Sequence, residues 1–332
     1  MPNAHITGTG SSIPERILSN KDLEQIVETS DEWILRRCGI RERRISLTGR
    51  NESATDMAAE ASLKALAMAR VDPRDLDLIV AGTVTPDRQF PSTGCMVQSG
   101  IGAVNAAAYD LSAGCTGFLF GLKTADDAIR AGTCRNALVI GVENLSSILN
   151  WRDRSTCVLM GDGAGAVVLT AVDEPGGVLS THIKSDGTLW ELLHTEWGNT
   201  YVPETLAGMD IKPFYLVMEG NKVFKIAVER MADIAEEALD HNHFTSEQIS
   251  LVVPHQANIR IIQALAKALE LPMEKVFINI QKYGNTSSAT IPIALDEAWR
   301  EGQIRKSDNI LMVSFGAGLT WGSSLVQWSI AG

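Results

Sequence analysis

Residues 106–132, AAAYDLSAGCTGFLFGLKTADDAIRAG, join a short strand-like run to a segment with helical spacing. The helical part has apolar residues on one face, at Phe118, Leu122, Ala125 and Ile129. Cys115 lies between the two parts, among residues that are too small to cover it. This order of strand, turn and helix is typical of α/β folds, in which active groups lie at strand ends and helix starts.

The neighbouring segments continue the alternation of strands and helices. A helical pattern at residues 52–71 has Ser53 as a candidate N-cap, and the strand-like run LDLIVAGT follows at residues 76–83. Two further strand-like runs bounded by glycine lie at residues 136–144 and 161–171. We therefore predict mostly parallel sheets that are covered by helices.

The second half of the chain repeats this order. Its matching segments lie at residues 223–242, 249–256, 276–302, 309–318 and 320–329. The spacing agrees as well, because Val80 precedes Cys115 by 35 positions and Val253 precedes Asn285 by 32. The two copies are offset by 173 positions, from Val80 to Val253, which is longer than the roughly 20 to 50 residues of solenoid repeats and indicates duplicated domains.

Two copies of one α/β unit are the simplest account of the repeat. We predict an N-terminal half over residues 1–174 and a C-terminal half over residues 175–332, with the seam in AVDEPGGVLS. Corresponding strand ends of a pseudo-symmetric pair can converge on one central site. Cys115 of the first copy has Asn285 as its counterpart in the second, and His255 lies just past a strand of the second copy.

The composition excludes several classes of protein. With 332 residues, 45% of them hydrophobic, the chain is long enough for a large core or two fused ones. No apolar run approaches the ~20 residues that span a bilayer, and the first residues lack the basic and apolar parts of a signal peptide. The five cysteines are scattered without a CxxC pair, which fits neither a disulfide framework nor a structural zinc site. We therefore expect a cytoplasmic protein.

The charge distribution is uneven. A formal net charge of −11 argues against a nucleic-acid or membrane partner, since both need a basic surface. The positive charges are nevertheless clustered, at Arg36, Arg37, Arg41, Arg43 and Arg44, and more loosely at Lys222, Lys225, Arg260 and Lys267. Such clusters indicate either docking of a phosphorylated or acidic partner or an ordinary solvated basic surface.

Cys115 is the first candidate for chemistry. At a helix N-terminus the unpaired N–H groups and the positive end of the helix dipole stabilise a thiolate, so we expect a lowered pKa for the Cys115 thiol. Ser112, Ala113 and Gly114 permit a tight turn that presents the sulfur. The alternative is an inert cysteine in the core.

His255 and Asn285 are the next candidates. His255 in VVPHQANIRII follows a buried-looking strand and precedes an amphipathic helix, a position from which side chains point into a site. A structural histidine is the alternative, and Asn285 in YGNTSSAT is equally compatible with a turn or a helix cap. The glycines of GDGAGAVVL precede a strand and do not open a helix, which argues against a dinucleotide-binding loop.

Several long motifs together resemble the β-ketoacyl-acyl carrier protein synthase III family, the condensing enzymes that start bacterial fatty-acid synthesis. These motifs are LSAGCTGF, VPHQANIRII, YGNTSSATIP, GDGAGAVVL and SFGAGLTWGSS. Residues 8–45 match as well, so the resemblance covers essentially the whole chain. It implies a thiolase-like α/β fold, in which duplicated βαβαβαββ units form a five-layered α-β-α-β-α arrangement, normally in a homodimer.

The resemblance implies a reaction. This is the decarboxylative Claisen condensation of an acyl-CoA primer, expected to be acetyl-CoA, with malonyl-acyl carrier protein to give 3-oxoacyl-acyl carrier protein, CoA and CO2. Cys115 would be the acylated nucleophile, and His255 and Asn285 would complete a Cys-His-Asn site. The backbone N–H groups of Cys115 and Ala317 would bind the oxyanion, while His255 Nε2–H and the Asn285 amide would donate to the enolate. No metal or redox cofactor is implied.

The resemblance also assigns binding residues. Trp33 and Arg154 match the residues that sandwich the adenine of CoA, Arg37 matches one that contacts a CoA phosphate, and Asn221 matches one that contacts the pantetheine arm. The basic surface that meets the acidic carrier protein matches Lys225, Arg260 and Lys267.

The acyl pocket is the part that the resemblance defines least. Phe90 matches a bulky residue that closes the pocket across the dimer and favours short primers. The segment at residues 186–200, with Trp190 and Trp197, departs from the family pattern, so the length of the primer stays open.

Three other interpretations compete with this one. A papain-like cysteine hydrolase uses the same residue types in the same order, but its CGSCW type of signature is missing. A non-catalytic thiolase-fold subunit would be expected to lack the cysteine, which is present. The main alternative is a specialised synthase III of secondary metabolism with a different acyl primer or acceptor.

Overall fold

The computed structural model of the protein describes residues 1–47, 51–196 and 214–331. Its strands are β1 (Asn3–Ser12), β2 (Ile17–Ser19), β3 (Glu42–Arg44), β4 (Leu78–Gly82), β5 (Ala107–Leu111), β6 (Asn136–Asn144), β7 (Asp162–Val172), β8 (Gly177–Ser185), β9 (Leu193–Thr195), β10 (Leu216–Met218), β11 (Leu251–Pro254), β12 (Asn309–Gly316) and β13 (Thr320–Gln327). Its α-helices are α1 (Asn20–Leu23), α2 (Asp31–Cys38), α3 (Ala54–Ala69), α4 (Thr93–Ile101), α5 (Gly117–Arg130), α6 (Arg154–Cys157), α7 (Gly220–Asn242), α8 (Ile259–Ala268), α9 (Ile280–Tyr283) and α10 (Thr290–Arg300).

The two large sheets have the same strand order. The first runs β1-β7-β6-β4-β5, and the second runs β8-β13-β12-β11. Where the first sheet has β5, the second has an isolated parallel bridge between Val252 and Val276. The α/β unit is therefore duplicated strand by strand, with one strand of the second copy reduced to a bridge. The predicted boundary between residues 174 and 175 lies in the link between β7 and β8.

The prediction of mostly parallel sheets was wrong, because both sheets are mixed. β4 pairs in parallel with β5 and β6, and β11 pairs in parallel with β12. The other pairs in these sheets are antiparallel. β12 and β13 are joined by a tight turn, and antiparallel neighbours need no crossover helix.

Helices and sheets alternate in five layers. α5 and α10 lie in the middle, where each contacts strands of both sheets. α3 and α4 cover the outer face of the first sheet, and α7 and α8 cover the outer face of the second. This arrangement confirms the predicted α-β-α-β-α order.

β6 illustrates why the central strands are apolar throughout. Ala137 and Val139 belong to the core around the two central helices, while Leu138 and Ile140 belong to the core under α3. Successive side chains of a strand point to opposite faces, so a strand that is covered on both sides needs apolar residues at every position.

α3 begins as its sequence predicts. The Ser53 hydroxyl accepts a hydrogen bond from the Asp56 N–H, and the Asp56 carboxylate accepts one from the Ser53 N–H. This capping box satisfies N–H groups that the first turn of a helix leaves unpaired. The predicted N-cap at Ser53 is therefore confirmed.

One arginine of the N-terminal basic cluster is not at the surface. Arg43 is fully buried, and its guanidinium donates to the Leu18 and Val158 carbonyls and to Asn20 Oδ1 at 2.7 to 3.1 Å. Burial lowers the pKa of Arg43 to about 10. Neither a solvated loop nor a docking surface describes this residue, which instead joins the N-terminal segment to the segment before β7.

α7 is the longest helix in the described part of the chain. Its apolar side, including Ala227, Met231 and Ile234, packs on the second sheet, and charged residues such as Glu229 and Glu236 are exposed. Amphipathic spacing of this kind is typical of a surface helix. Among the residues described, no helix combines the length and the apolar character needed to cross a membrane.

Candidate active site

Three side chains from distant parts of the chain meet in one cavity. Cys115 lies in the 3₁₀ turn Gly114–Thr116 between β5 and α5, and His255 directly follows β11. Asn285 precedes the 3₁₀ turn Ser287–Ala289 that leads into α10. All three line a cavity of about 1040 Å³. The duplication explains this meeting, because the helices that follow Cys115 and Asn285 are the two central helices.

Hydrogen bonds fasten the Cys115 turn to the second sheet. Ser314 Oγ donates to the Cys115 carbonyl oxygen at 2.9 Å. Thr320 Oγ1 donates to the Ala113 carbonyl oxygen at 2.8 Å. The turn belongs to the first half of the chain, so its position depends on β12 and β13 of the second half.

The backbones of the two halves approach so closely at this point that only glycine fits. A Cβ atom on Gly316 would lie 2.5 Å from Cys115 N, and one on Gly114 would lie 2.6 Å from Ala317 N. Gly114 also has a positive φ of 53°, which favours glycine. The N–H groups of Cys115 and Ala317 are thus brought near each other from two chain segments.

The expected low pKa of the Cys115 thiol was wrong. Burial raises the pKa of this thiol to about 11, a hydrogen bond with the Ser287 side chain lowers it, and the nearby Glu143 carboxylate raises it. The turn does lie at the start of α5 as predicted, and desolvation is the largest cause of the raised pKa. The resting thiol is therefore protonated at neutral pH.

His255 is buried and neutral. Burial lowers the pKa of its imidazole to about 3. Its Nδ1 lies 2.7 Å from Thr290 Oγ1, and Thr290 Oγ1 donates to the Ser287 carbonyl oxygen at 3.0 Å. The Ser287 carbonyl oxygen also accepts the Thr290 backbone N–H, so the Thr290 hydroxyl hydrogen can go either to that carbonyl or to His255 Nδ1. When the Thr290 hydroxyl donates to Nδ1, the hydrogen of the neutral ring is on Nε2, which is the donor expected from the resemblance.

Asn285 is held by its own carboxamide oxygen and by its backbone. Its Oδ1 accepts a hydrogen bond from the Ser287 N–H at 2.8 Å, and its N–H donates to the Leu159 carbonyl oxygen at 2.8 Å. With Oδ1 occupied, the amide N–H groups are the part of the carboxamide that can serve a ligand. The interpretation of Asn285 as a turn residue is thus compatible with a place in the site.

A buried acid behind Cys115 was missed by the sequence analysis. Glu143 is fully buried at the end of β6, where hydroxyl groups of Thr85, Ser287 and Ser288 surround its carboxyl group at 2.6 to 3.1 Å. Burial raises the pKa of Glu143 to about 7. Its sequence signal was one acidic residue that closes the apolar strand NALVIGVEN.

The four residues expected to bind CoA all line the same cavity. Arg154 Cζ lies 4.8 Å from the centre of the Trp33 ring, and Arg37 Cζ lies 5.6 Å from it. Arg154 also donates to the Glu28 carbonyl oxygen at 2.9 Å. Asn221 lies at the start of α7, on another side of the cavity. An aromatic ring within 6 Å of two guanidinium groups is suited to a planar, phosphorylated ligand.

The expected docking residues are exposed, and two of them border the cavity. Lys225 on α7 and Arg260 on α8 line it, and the Arg260 guanidinium lies 5.4 Å from the centre of the Phe224 ring. Lys267 is exposed one heptad after Arg260 on α8, so the two lie on the same side of that helix. Two of the three cations therefore border the cavity, and the third is exposed on the same side of α8 as Arg260.

Phe90 is not brought to the site within one chain. Its side chain is 85% exposed, and it does not line the cavity. Trp190 is also exposed, and its ring packs edge-on against His194, which lines the cavity. Trp197 lies outside the described residues.

The cavity contains the thiol of Cys115, a side chain suited to covalent catalysis. Within the described ranges, no group of three or more His, Cys, Asp or Glu side chains could hold a metal ion. All five cysteines are free thiols, and Cys38, Cys134 and Cys157 are buried in the core. Cys38 also lines the cavity, but its thiol donates to the Ile34 carbonyl oxygen, and Cys115 is the cysteine that shares the cavity with His255 and Asn285 outside the helices.

The chain matches known protein families along its length. Residues 109–187 match the family model 3-oxoacyl-[acyl-carrier-protein (ACP)] synthase III, and residues 239–328 match the model of its C-terminal part. A β-ketoacyl-[acyl-carrier-protein] synthase III from Caldanaerobacter subterraneus subsp. tengcongensis is 51% identical, and the alignment covers 98% of each chain.

Two solved structures extend the similarity to three dimensions. The 3-oxoacyl-[acyl-carrier-protein] synthase III from Aquifex aeolicus has a TM-score of 0.91 and 48% identity, over 98% of this chain and 100% of that one. The priming β-ketosynthase from the R1128 polyketide pathway has a TM-score of 0.92 and 35% identity, over 99% and 97% of the two chains. The chain belongs to the β-ketoacyl-[acyl-carrier-protein] synthase III family of condensing acyltransferases.

Proposed function

We propose that the protein condenses an acyl-CoA primer, with acetyl-CoA preferred, with malonyl-acyl carrier protein. The products are 3-oxoacyl-acyl carrier protein, CoA and CO2, in the reaction that initiates fatty-acid synthesis. One observation carries this proposal: Cys115, His255 and Asn285 come from both halves of the chain and line one cavity. The proposed chemistry uses no metal or redox cofactor.

The first half-reaction is acyl transfer to Cys115. The thiolate attacks the thioester carbonyl of acyl-CoA, and the backbone N–H groups of Cys115 and Ala317 stabilise the tetrahedral oxyanion. The close contacts at Gly114 and Gly316 support this pairing of N–H groups. CoA then leaves, and the acyl group stays on sulfur.

The second half-reaction is decarboxylative condensation. Loss of CO2 from the malonyl thioester gives an enolate, and the Asn285 amide donates a hydrogen bond to its oxygen. His255 contributes a second donor when the Thr290 hydroxyl turns to Nδ1, since the hydrogen of the neutral ring is then on Nε2. The carbanion attacks the acyl group on Cys115, forms the new carbon–carbon bond and releases the thiolate.

The cavity mouth supports the proposed binding of CoA. We assign the adenine to the space between Trp33 and Arg154, a phosphate to Arg37 and the pantetheine arm to Asn221. Arg154 lies against Trp33, so it must move outward to admit the adenine. Arginine suits this position because its planar guanidinium both stacks and binds phosphate.

We assign carrier-protein docking to Lys225, Arg260 and Lys267. Their exposure beside the cavity supports this proposal, since the phosphopantetheine arm of a docked carrier must reach Cys115. Opposite charge between this surface and an acidic carrier would speed encounter, an effect that salt weakens.

We further propose a homodimer in which Phe90 of one copy closes the acyl pocket of the other. The 85% exposure of this large apolar side chain supports a contact with a second copy. A cytoplasmic location follows from the proposed substrates and is consistent with five free cysteines.

The main test is intact-protein mass spectrometry with a panel of acyl-CoA thioesters, followed by addition of malonyl-acyl carrier protein. We expect an acetyl-sized mass increase that is lost in Cys115→Ala and discharged to the carrier as a 3-oxoacyl product. Cys95→Ala is the matched control, because Cys95 is also partly exposed but lies on α4, outside the cavity. Labelling only by longer or unusual acyl groups would favour the specialised synthase, and no labelling would contradict the proposal.

A further inference from the structure

Glu143 is a buried acid whose carboxyl group contacts the Ser287 hydroxyl near Cys115. Neither of the two proposed half-reactions uses it. Its neighbours are neutral hydroxyl and N–H groups, and no Lys or Arg among the described residues shifts its pKa. A buried carboxyl group without a cation is costly to ionise. This combination suggests a group that carries a proton for part of the reaction.

The two oxygens of Glu143 have different surroundings. Oε2 accepts hydrogen bonds from the Thr85 hydroxyl at 2.6 Å and the Val84 N–H at 3.1 Å. Oε1 lies 3.1 Å from both Ser287 Oγ and Ser288 Oγ. The Ser288 hydroxyl is also 2.8 Å from the Gly82 carbonyl oxygen, so its single hydrogen can go to Gly82 when Oε1 is protonated and to Oε1 when the carboxylate is ionised.

Hydrogen counting then identifies Oε1 as the oxygen that can hold a proton. With its hydrogen given to Gly82, Ser288 presents a lone pair to Oε1, and a proton on Oε1 satisfies that contact. Oε2 already accepts two shorter hydrogen bonds, and its remaining neighbour, the Thr83 hydroxyl, lies farther away at 3.4 Å. Glu143 is therefore accommodated in both its protonated and its ionised forms.

Ser287 connects this acid to the nucleophile. Its hydroxyl lies 3.1 Å from Glu143 Oε1, and its 3₁₀ turn packs against the turn that carries Cys115, where the Ser287 side chain lowers the pKa of the thiol. Its backbone is held in the left-handed region, with a φ of 49°, and its N–H donates to Asn285 Oδ1. A single hydroxyl hydrogen can serve either the Glu143 carboxylate or a Cys115 thiolate, so the states of the two groups are linked.

We propose that Glu143, acting through the Ser287 hydroxyl, receives the proton that Cys115 releases when it becomes a nucleophile. The Cys115 S–H bond breaks as the Ser287 oxygen takes that proton, and the Ser287 O–H bond breaks as Glu143 Oε1 takes the second proton. The pair carries one negative charge before and after the transfer. Glu143 is a positioning residue in this scheme, and the inference rests on the proposed nucleophilic role of Cys115.

The electrostatics of the site support this transfer. Two negative charges on Cys115 and Glu143 would repel each other in a buried site, which is why the carboxylate raises the pKa of the thiol. The pKa of Glu143, raised by burial to about 7, suits a proton acceptor at neutral pH.

His255, the other titratable group in this network, is joined through Thr290 and the Ser287 carbonyl. It stays neutral because burial lowers its pKa to about 3. A proton-transfer partner for Cys115 is thus supplied without ionising the imidazole.

The test is the pH dependence of Cys115 alkylation by iodoacetamide in the full-length protein, followed by mass spectrometry of the Cys115 peptide. The thiolate is the reacting form. In the native protein the proton passes from Cys115 to Glu143 and is not released to solvent, so the amount of thiolate formed in this way does not depend on pH. We therefore expect the alkylation rate to change less than about twofold between pH 7.5 and 8.5. Glu143→Gln cannot accept a proton, and its rate should rise about tenfold over the same unit of pH.

Ser287→Ala provides a second variant that keeps the acid. It removes the donor to the thiolate, and we expect the alkylation rate at pH 7.5 to fall about tenfold. Asp162→Asn is the matched control, since Asp162 is also a fully buried acid bonded to serine groups, at Ser46 and Ser146, without contact to Cys115. This control should keep the flat pH profile of the native protein.

The inference is overturned if Glu143→Gln retains the flat profile, or if Asp162→Asn loses it to the same extent. Alkylation requires neither acyl-CoA nor carrier protein, so it is independent of the substrates. If the alkylation profile shifts as expected while no acyl-CoA labels Cys115, the proposed function fails and the inference about Glu143 stands. If acyl-CoA labels Cys115 while the native protein and Glu143→Gln have identical pH profiles of alkylation, the inference about Glu143 fails and the proposed function stands.

Discussion

At the scale of single residues, Thr290 decides which ring nitrogen of His255 carries the hydrogen. Thr290→Val keeps the shape of the side chain and removes the hydroxyl that faces Nδ1. We expect decarboxylation of malonyl-acyl carrier protein to fall about tenfold or more, because a buried imidazole that loses its partner no longer holds one tautomer. Acylation of Cys115, which does not use His255, should change little.

The control for this prediction is Thr124→Val. The Thr124 hydroxyl also donates to a backbone carbonyl, that of Phe120 in the preceding turn of α5. Thr124 does not line the cavity. Steady-state decarboxylation and single-turnover acylation are measured for both variants. Equal losses in the two assays for Thr290→Val would contradict a role in setting the tautomer.

His255 also makes the stability of the protein depend on pH. Burial lowers its pKa to about 3 in the folded state, compared with 6.5 for an unperturbed histidine, so between these values only the unfolded chain binds the proton. Unfolding is therefore favoured as the pH falls through this window. Over the two units from pH 6.5 to 4.5, the contribution to the free energy of unfolding is about 2.5 kcal/mol.

The measurement is urea unfolding of the native protein and of His255→Gln at pH 7.5 and 4.5. Other groups titrate in both proteins, so the difference between the two losses isolates His255. We expect the native protein to lose about 2 to 3 kcal/mol more than the variant. Equal losses would show that the imidazole is not held neutral in the folded protein.

At the scale of elements, the site depends on the contact between the end of β12 and the 3₁₀ turn before α5. Gly316→Ala would place a Cβ atom 2.5 Å from Cys115 N, so β12 or the turn must shift. We expect acylation of Cys115 to slow about 100-fold, because the oxyanion donors lose their alignment. Stopped-flow release of CoA measures this rate.

Gly100→Ala is the matched control for this prediction. A Cβ atom on Gly100 would meet nothing closer than the Ala59 Cβ at 3.9 Å, and alanine suits the interior of α4. Acylation by this variant should be unchanged. An unaltered rate in Gly316→Ala with a native circular dichroism spectrum would contradict the importance of the contact.

The elements themselves were largely predictable from local patterns. Apolar runs that are covered on both sides, such as β4 and β6, and the capping box at Ser53 depend on neighbouring residues only. The pairing direction was not predictable in the same way, because it depends on which strands become neighbours in space. β1 illustrates this, since it pairs antiparallel with β7 from the far end of the same half.

At the scale of the whole molecule, the exposed Phe90 predicts association and an effect on primer choice. If a second copy supplies Phe90 to the pocket, Phe90→Ala should enlarge that pocket and raise the ratio of hexanoyl-CoA to acetyl-CoA acylation about tenfold. Leu63→Ala is the control, because Leu63 is also an exposed apolar residue, on the opposite side of α3 from the core. It should leave the ratio unchanged.

Sedimentation equilibrium supplies the second readout for this prediction. We expect a dimer for the native protein, because the site is proposed to need the partner's Phe90. A monomer with full activity would contradict the proposal. So would an unchanged primer ratio in a dimeric Phe90→Ala variant.

The sequence by itself determined the duplicated α/β unit, the layer order and the three residues that meet in the cavity. The duplicated unit follows from periodic patterns, whereas the layer order and the set of Cys115, His255 and Asn285 follow from motifs whose resemblance to a known family implies them. The matching spacings in the two halves made a central meeting point predictable. The coarse organisation therefore needed no three-dimensional information.

Only the tertiary structure decided the electrostatics of the site. The raised pKa of the Cys115 thiol, the contact of His255 Nδ1 with Thr290 and the buried network around Glu143 depend on desolvation and on hydrogen-bond partners more than 30 residues away. The burial of Arg43 is likewise decided by the tertiary structure alone. Local sequence patterns do not report which distant groups exclude water from a side chain, and that exclusion sets its protonation state.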